Sequence, residues 1–146
     1  MQSPYVSRAY RLFILIAGTY DIIVGLSGFF LYAVVYLLMS AIDPNLPMAP
    51  DKSMEMAWLK MNGVFMIFVG LGYVFPYVSY ERYKFYIPVF GVGLRTWGGI
   101  FLVYAGLFWG LTFILVIFGA VDLLLAAVFV YFLGDYKRRK VHIRNY

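Results

Sequence analysis

The chain has 146 residues, 64% of them hydrophobic and 13% charged, with a formal net charge of +5. A soluble domain runs near about 25% charged, so this composition excludes an ordinary water-soluble globule. The absence of cysteine excludes disulfides, thiolate metal sites and a dithiol relay within the chain.

Four apolar segments dominate, at roughly 11–39, 57–78, 86–108 and 110–133. At about 1.5 Å of rise per residue, each is long enough to cross a hydrocarbon core of about 30 Å. The fold class predicted is therefore all-α: an integral membrane protein forming one four-helix transmembrane bundle over 1–146. Arg8 and Arg11 precede the first apolar run, as in a signal peptide. That run exceeds the roughly 7–15 residues of such a signal and shows no cleavage pattern, so it reads as an uncleaved first span.

The outer loop, 41–56, comes after span 1. Pro44, Pro47 and Pro50 keep its first half extended or turned. Asp51 or Ser53 is placed to cap a short helix leading into span 2, with Glu55 in the first turn. The loop reads as a connector, with a lid over the bundle as the alternative. Span 2 ends near Pro76. The connector 79–85 is short and polar, which predicts spans 2 and 3 as antiparallel neighbours. A tight turn at Phe108, Trp109 and Gly110 joins spans 3 and 4. A compact bundle then places span 1 beside span 4.

With four spans, both termini and the 79–85 connector share one side. Nine basic residues lie there: Arg8, Arg11, Arg82, Lys84, Lys137, Arg138, Arg139, Lys140 and Arg144. Only Lys52 and Lys60 lie on the other, so both termini are expected in the cytoplasm. The basic tail, 134–146, reads as a topology anchor touching anionic lipid headgroups, with no nucleic-acid partner needed. Size and charge bias suggest a bacterial inner membrane. Tyr5, Tyr10, Tyr77, Tyr80, Tyr83, Tyr86 and Tyr136 mark the cytoplasmic edge, and Trp58 and Trp109 the outer edge. These are interfacial belts, with an aromatic cofactor cage as the alternative.

Three charges fall inside spans: Asp21, Arg95 and Asp122. A charge at the bilayer centre costs about 2.5–3.5 kcal/mol on insertion scales. Counting helical rise from the nearest span ends puts Asp21 about 15 Å deep, Arg95 about 16 Å and Asp122 about 18–20 Å, all near the midplane. Asn62 lies in the outer third of span 2. Residues three, four and seven apart share a helix face. Asp21 shares one with Gly18, Gly25 and Gly28; Arg95 with Gly91, Gly98 and Gly99; Asp122 with Gly119 and Ala126. Asn62 borders Gly63, which lies seven before Gly70. Small residues mark close helix approach in membranes, so these charges belong to packing faces. Gly72 and Gly93, off those faces, read as surfaces for partner packing. Spans 1 and 4 share a local Gly-x-x-Asp pattern, but spans 1 and 3 are unlike, so no internal repeat is assigned.

Two carboxylates around one guanidinium, with Asn62 nearby, form a candidate polar cluster of formal charge −1. It reads either as an interhelical clasp that fixes register or as a site for a proton, an ion or a small polar ligand. The one histidine, His142, sits in the tail, and no span pairs a nucleophile with a base. No metal, no cofactor and no catalytic residue is expected.

Gly18, Tyr20 and Asp21 in span 1, Arg95 in span 3, and Gly119, Asp122, Leu123, Leu124, Ala126 and Phe129 in span 4 together resemble the small bacterial four-span proteins of the DoxX-like type. The resemblance implies a four-helix membrane bundle, often an accessory subunit beside a redox or secretion system. Some relatives are tied to quinone-linked sulfur oxidation. The first functional reading is a non-catalytic membrane protein, acting as an accessory subunit with other membrane subunits or as a homo-oligomer. The second is a small oligomeric transporter or channel for protons or a small polar solute. The third is a quinone- or lipid-binding redox accessory subunit.

Overall fold

The computed structural model describes residues 4–42, 54–109 and 113–144. All its regular structure is helical: α1 (Arg8–Phe30), α2 (Tyr32–Ile42), α3 (Met54–Gly72), α4 (Val74–Val78), α5 (Tyr80–Tyr83), a π-helical stretch (Ile87–Leu94), α6 (Arg95–Phe108) and α7 (Phe113–Arg144). Four helical segments are long and apolar enough to cross a membrane: Arg8–Phe30, Lys60–Val78, Ile87–Phe108 and Phe113–His142. The expected prolines and cap of the outer loop, and Gly110 in the last turn, lie outside the described residues.

Local sequence accounts for several of the helix ends, though not for the break at Leu31. Ser7 caps α1: its side-chain oxygen accepts from the Tyr10 amide at 3.1 Å. The apolar run predicts one helix over 11–39, but the helix breaks at Leu31, whose amide bonds back to the Ser27 carbonyl. The 23 residues of α1 already span about 34 Å, so α2 is surplus to a crossing. Span 2 bends between α3 and α4. Pro76 lacks an amide and crowds the carbonyl four residues back, at Gly72, where α3 ends. The tail expected after residue 133 is a continuation of α7 as far as Arg144. It is rich in good helix formers and is braced by an Asp135–Arg139 pair at 2.7 Å, one turn apart.

The spans pack as two antiparallel pairs. In the first, α1 lies against α3. A Cβ on Gly25 would stand 2.5 Å from the Gly63 carbonyl oxygen, and one on Gly63 would stand 2.7 Å from that of Gly25. Two turns further along, Gly18 and Gly70 face each other in the same reciprocal way, at 3.0 and 2.7 Å. Gly28 is buried beside Gly63. In the second pair α6 lies against α7, with Gly99 and Gly119 in reciprocal backbone contact at 2.8 and 2.6 Å. These positions exclude any side chain, so the backbones approach as closely as glycine permits.

The expected neighbours are present, but the tightest pairing is one that loop length does not predict. The short 79–85 connector predicts span 2 packed on span 3, yet the intimate partner of span 2 is span 1, across the longest loop. Spans 2 and 3 touch through side chains: the Tyr86 hydroxyl donates to the Val69 carbonyl at 2.7 Å, and the Tyr73 and Tyr86 rings meet at 5.3 Å. Loop length limits which helices can be neighbours, but the glycine stripes decide which pair closes.

The two pairs meet in an aromatic core. Phe129 stacks on Tyr73 at 5.6 Å and takes the edge of Phe13 at 4.7 Å, while Tyr10 stacks on Phe132 at 4.9 Å. Gly91 leaves room for the Phe129 ring rather than for a backbone. At one end Tyr10, Tyr80 and Tyr136 are buried together. Tyr10 and Tyr80 share a hydroxyl contact of 3.1 Å, and the Tyr136 hydroxyl donates to Glu81 at 2.8 Å. The start of α1, the 79–85 connector and the far part of α7 therefore lie at the same end of the bundle, as the span count requires. Spans 1 and 4 are neighbours here, as expected.

Candidate functional site: a buried Asp–Arg–Asp cluster

Asp21 sits on the buried stripe of α1 between Gly18 and Gly25. Arg95 is the first residue of α6, where the π-helical stretch returns to α-helical winding. Such wide turns rotate the facing of all later residues in the helix and are frequent at functional positions. Asp122 lies in α7, three residues after Gly119.

The structure brings these three together. One terminal nitrogen of Arg95, Nη2, donates to both oxygens of Asp21, at 2.6 and 2.7 Å. The other, Nη1, donates to Asp122 Oδ1 at 2.6 Å. The planar fork of a guanidinium suits such a division between two carboxylates. The side chains of Asp21 and Arg95 are 1% and 5% exposed, whereas that of Asp122 is 20% exposed. The cluster is thus sealed at Asp21 and partly open at Asp122.

A fourth member is one that sequence reasoning misses. Arg95 Nε donates to the Tyr73 hydroxyl at 3.4 Å, and the guanidinium stands 6.0 Å from the Tyr73 ring centre. Tyr73 lies three residues after Gly70, so the same face rule that places Asp21 on a glycine stripe also places Tyr73 on one. In a chain so rich in aromatic residues, that signal does not stand out. The Tyr73 ring, stacked on Phe129, closes the cluster on the tyrosine-rich side.

Asn62 does not join the cluster: it is exposed on α3. Its neighbour Gly63 faces α1, and one residue turns an α-helix by about 100°, which carries Asn62 off that face. Among the expected packing glycines, Gly18, Gly25, Gly28, Gly63, Gly70, Gly91 and Gly119 are buried. Gly98 is not at a contact: a Cβ there would meet nothing within 4 Å, and Gly99 takes the close approach instead. Gly72, expected as an outward surface, is not one. A Cβ there would collide with the Tyr86 ring and hydroxyl, so it serves internal packing. Gly93 is nearly open, with only the Pro88 carbonyl at 3.3 Å.

Arg95 joins the two helix pairs chemically. Its bonds to Asp21 and Tyr73 cross from the second pair to the first, and its bond to Asp122 stays within the second. In a low-dielectric interior an unpaired charge is costly, so the three ions stabilise one arrangement of the pairs and penalise others. Fold and site together define a four-span helical membrane protein, in contact with lipid, that holds a buried Asp21–Arg95–Asp122 salt bridge. Comparison with protein-family models, curated proteins and solved structures finds no match to the chain.

Proposed function

We propose that this is a non-catalytic integral membrane protein, an accessory subunit or self-assembling bundle, in which Asp21, Arg95 and Asp122 act as a clasp between two glycine-packed helix pairs. The observation that carries this reading is the double engagement of Arg95, with both carboxylates at 2.6 Å and Asp21 fully enclosed. An ion pair this enclosed favours holding over exchange. Two surface clefts lie away from it, one at the start of α1 and one on the extension of α7. The DoxX-like resemblance and the accessory-subunit role it implies are part of this proposal, as are cytoplasmic termini in a bacterial inner membrane. Sidedness is testable directly. The chain has no cysteine, so Val141→Cys introduces one addressable thiol, which an impermeant reagent should reach only from the cytoplasmic face.

One observation favours a second reading. The cluster carries one carboxylate in excess, and it is the partly exposed Asp122 that contributes it. A small oligomeric proton or polar-solute pathway would use that residue. A single substitution set separates the readings. For a clasp, Asp21→Asn and Arg95→Met each lose folded protein, while the neutral triple variant Asp21→Asn/Arg95→Met/Asp122→Asn recovers much of it. For a pathway, Asp122→Asn stays folded and abolishes pH-dependent flux in liposomes. Failure of the triple variant to recover fold would refute the clasp.

A further inference from the structure

We infer that the cleft beside the start of α1 is a binding site for one anionic glycerophospholipid, its phosphate held by Arg8 and Arg11 and its acyl chain lying on Leu12 and Leu15. The cleft has a volume of about 490 Å³ and is lined by Val6, Arg8, Arg11, Leu12, Leu15 and Tyr77. It combines two features that a phospholipid matches and a soluble anion does not: a cationic rim and an apolar floor.

Among the described residues, neither Arg8 nor Arg11 pairs with a carboxylate. Two carboxylates described at this end of the bundle, Glu81 and Asp135, have other partners. Glu81 accepts from Tyr136 and lies 3.6 Å from Lys84, and Asp135 is bound to Arg139. Arg11 is also held in place, with its guanidinium 5.2 Å from the Tyr77 ring centre. A stacked guanidinium keeps its edge donors free for a planar or tetrahedral oxyanion.

The floor continues in the right direction. Leu12 and Leu15 are 55% and 43% exposed and stand one turn and two turns beyond Arg8 on the same face of α1. Arg8 and Arg11 lie in the first turn of the candidate span Arg8–Phe30, at its end. Phosphate at Arg8 and Arg11 and chain on Leu12 and Leu15 is therefore the natural orientation of a lipid in its own leaflet. Juxtamembrane basic residues attract anionic headgroups in general. Here the cleft and the stacked arginine convert that attraction into a defined position beside the joint of α1 and α4.

The test uses the full chain in a non-ionic detergent, titrated with dioleoylphosphatidylglycerol or dioleoylphosphatidylcholine and followed by native mass spectrometry. One phosphatidylglycerol should be retained at least tenfold more tightly than phosphatidylcholine, and inorganic phosphate should not displace it. Arg8→Gln/Arg11→Gln should lose that preference by a factor of about ten or more. Equal retention of the two lipids, displacement by inorganic phosphate, or an unchanged preference in the double variant would overturn the assignment. A photo-crosslinkable phosphatidylglycerol tested on the unaltered chain keeps the question decidable if the double variant does not fold. Label on residues 6–15 and Tyr77 supports the site, and label confined to residues 134–144 refutes it.

Discussion

The seams within the two helix pairs and the seam between them are built from opposite materials. Within each pair, glycine meets glycine and backbone meets backbone, at Gly25–Gly63, Gly18–Gly70 and Gly99–Gly119. Between the pairs, large rings and one ion cluster fill the space: Phe13, Tyr73 and Phe129, then Arg95 with its two aspartates. The difference arises from the solvent. Lipid is as apolar as leucine, so burying leucine gains little, and helices associate through close van der Waals contact and polar bonds. Glycine seams maximise the first, because only the glycine faces let the backbones touch. The ionic seam supplies the second, and its geometry must satisfy every charge. The pairs are thus brought together by shape and oriented by charge.

The ionic seam should be the most sensitive to a single change. Arg95→Met leaves two carboxylates without their cation and should cost about 3–5 kcal/mol, seen as a lower midpoint in denaturant titrations of detergent-solubilised protein. A loss no larger than that of a surface substitution would mean the ion cluster does not hold the pairs together.

The glycine seams should come next. Gly25→Leu forces a side chain against the Gly63 carbonyl and the Ile67 backbone, and overpacking of this kind typically costs about 1–3 kcal/mol. Gly98→Leu, on a helix of the other pair but facing open space, should stay within about 0.5 kcal/mol of the parent. Thermal unfolding of the two variants side by side checks the contrast. Equal losses would show that the pairs are not closed by backbone contact.

A single polar bond between the pairs should matter less. Tyr86→Phe removes the donor to the Val69 carbonyl and should cost about 0.6 kcal/mol, the usual worth of one interhelical bond in a membrane protein. A double-mutant cycle with Arg95→Met should show additivity if the bond and the ion cluster act independently.

The smallest effect concerns pH at the tyrosine-rich end. Burial raises the Tyr80 phenol above its usual value of 10.0, with the Tyr10 hydroxyl contact acting the other way. The folded chain therefore keeps a proton that the unfolded chain gives up above about pH 10. Stability from this group is intact below that pH and falls as pH rises beyond it. Tyr80→Phe should flatten the alkaline limb of a melting-temperature profile measured from about pH 9 to 11.5, and an unchanged limb would exclude Tyr80 as its source.

Much of this is legible in the residues. Apolar run lengths identify four crossings, because a bilayer imposes one length on every span. The depth of Asp21, Arg95 and Asp122 comes from helical rise, and their facing from glycine neighbours. The face rule fails where two glycines are adjacent. It cannot choose between Gly98 and Gly99, and it gives no reason to turn Asn62 inward, since a direct neighbour of Gly63 lies off its face. It also leaves Tyr73 unmarked, since an aromatic residue in a membrane span has many bland uses and only its distance from Arg95 singles this one out. The break at Leu31 carries no proline and no obvious cap, and no local signal announces it.

The sequence by itself determined the class of protein, the number of spans and the level at which three charges must meet, because all three depend on hydrophobicity and on distance along one helix. The tertiary structure decided which helices pair, which glycines are touched and which groups surround Arg95. Those outcomes depend on the rotation of one helix against another. That rotation is set jointly by backbone contact at the glycines and by the need of one guanidinium to reach Asp21, Asp122 and Tyr73 at once.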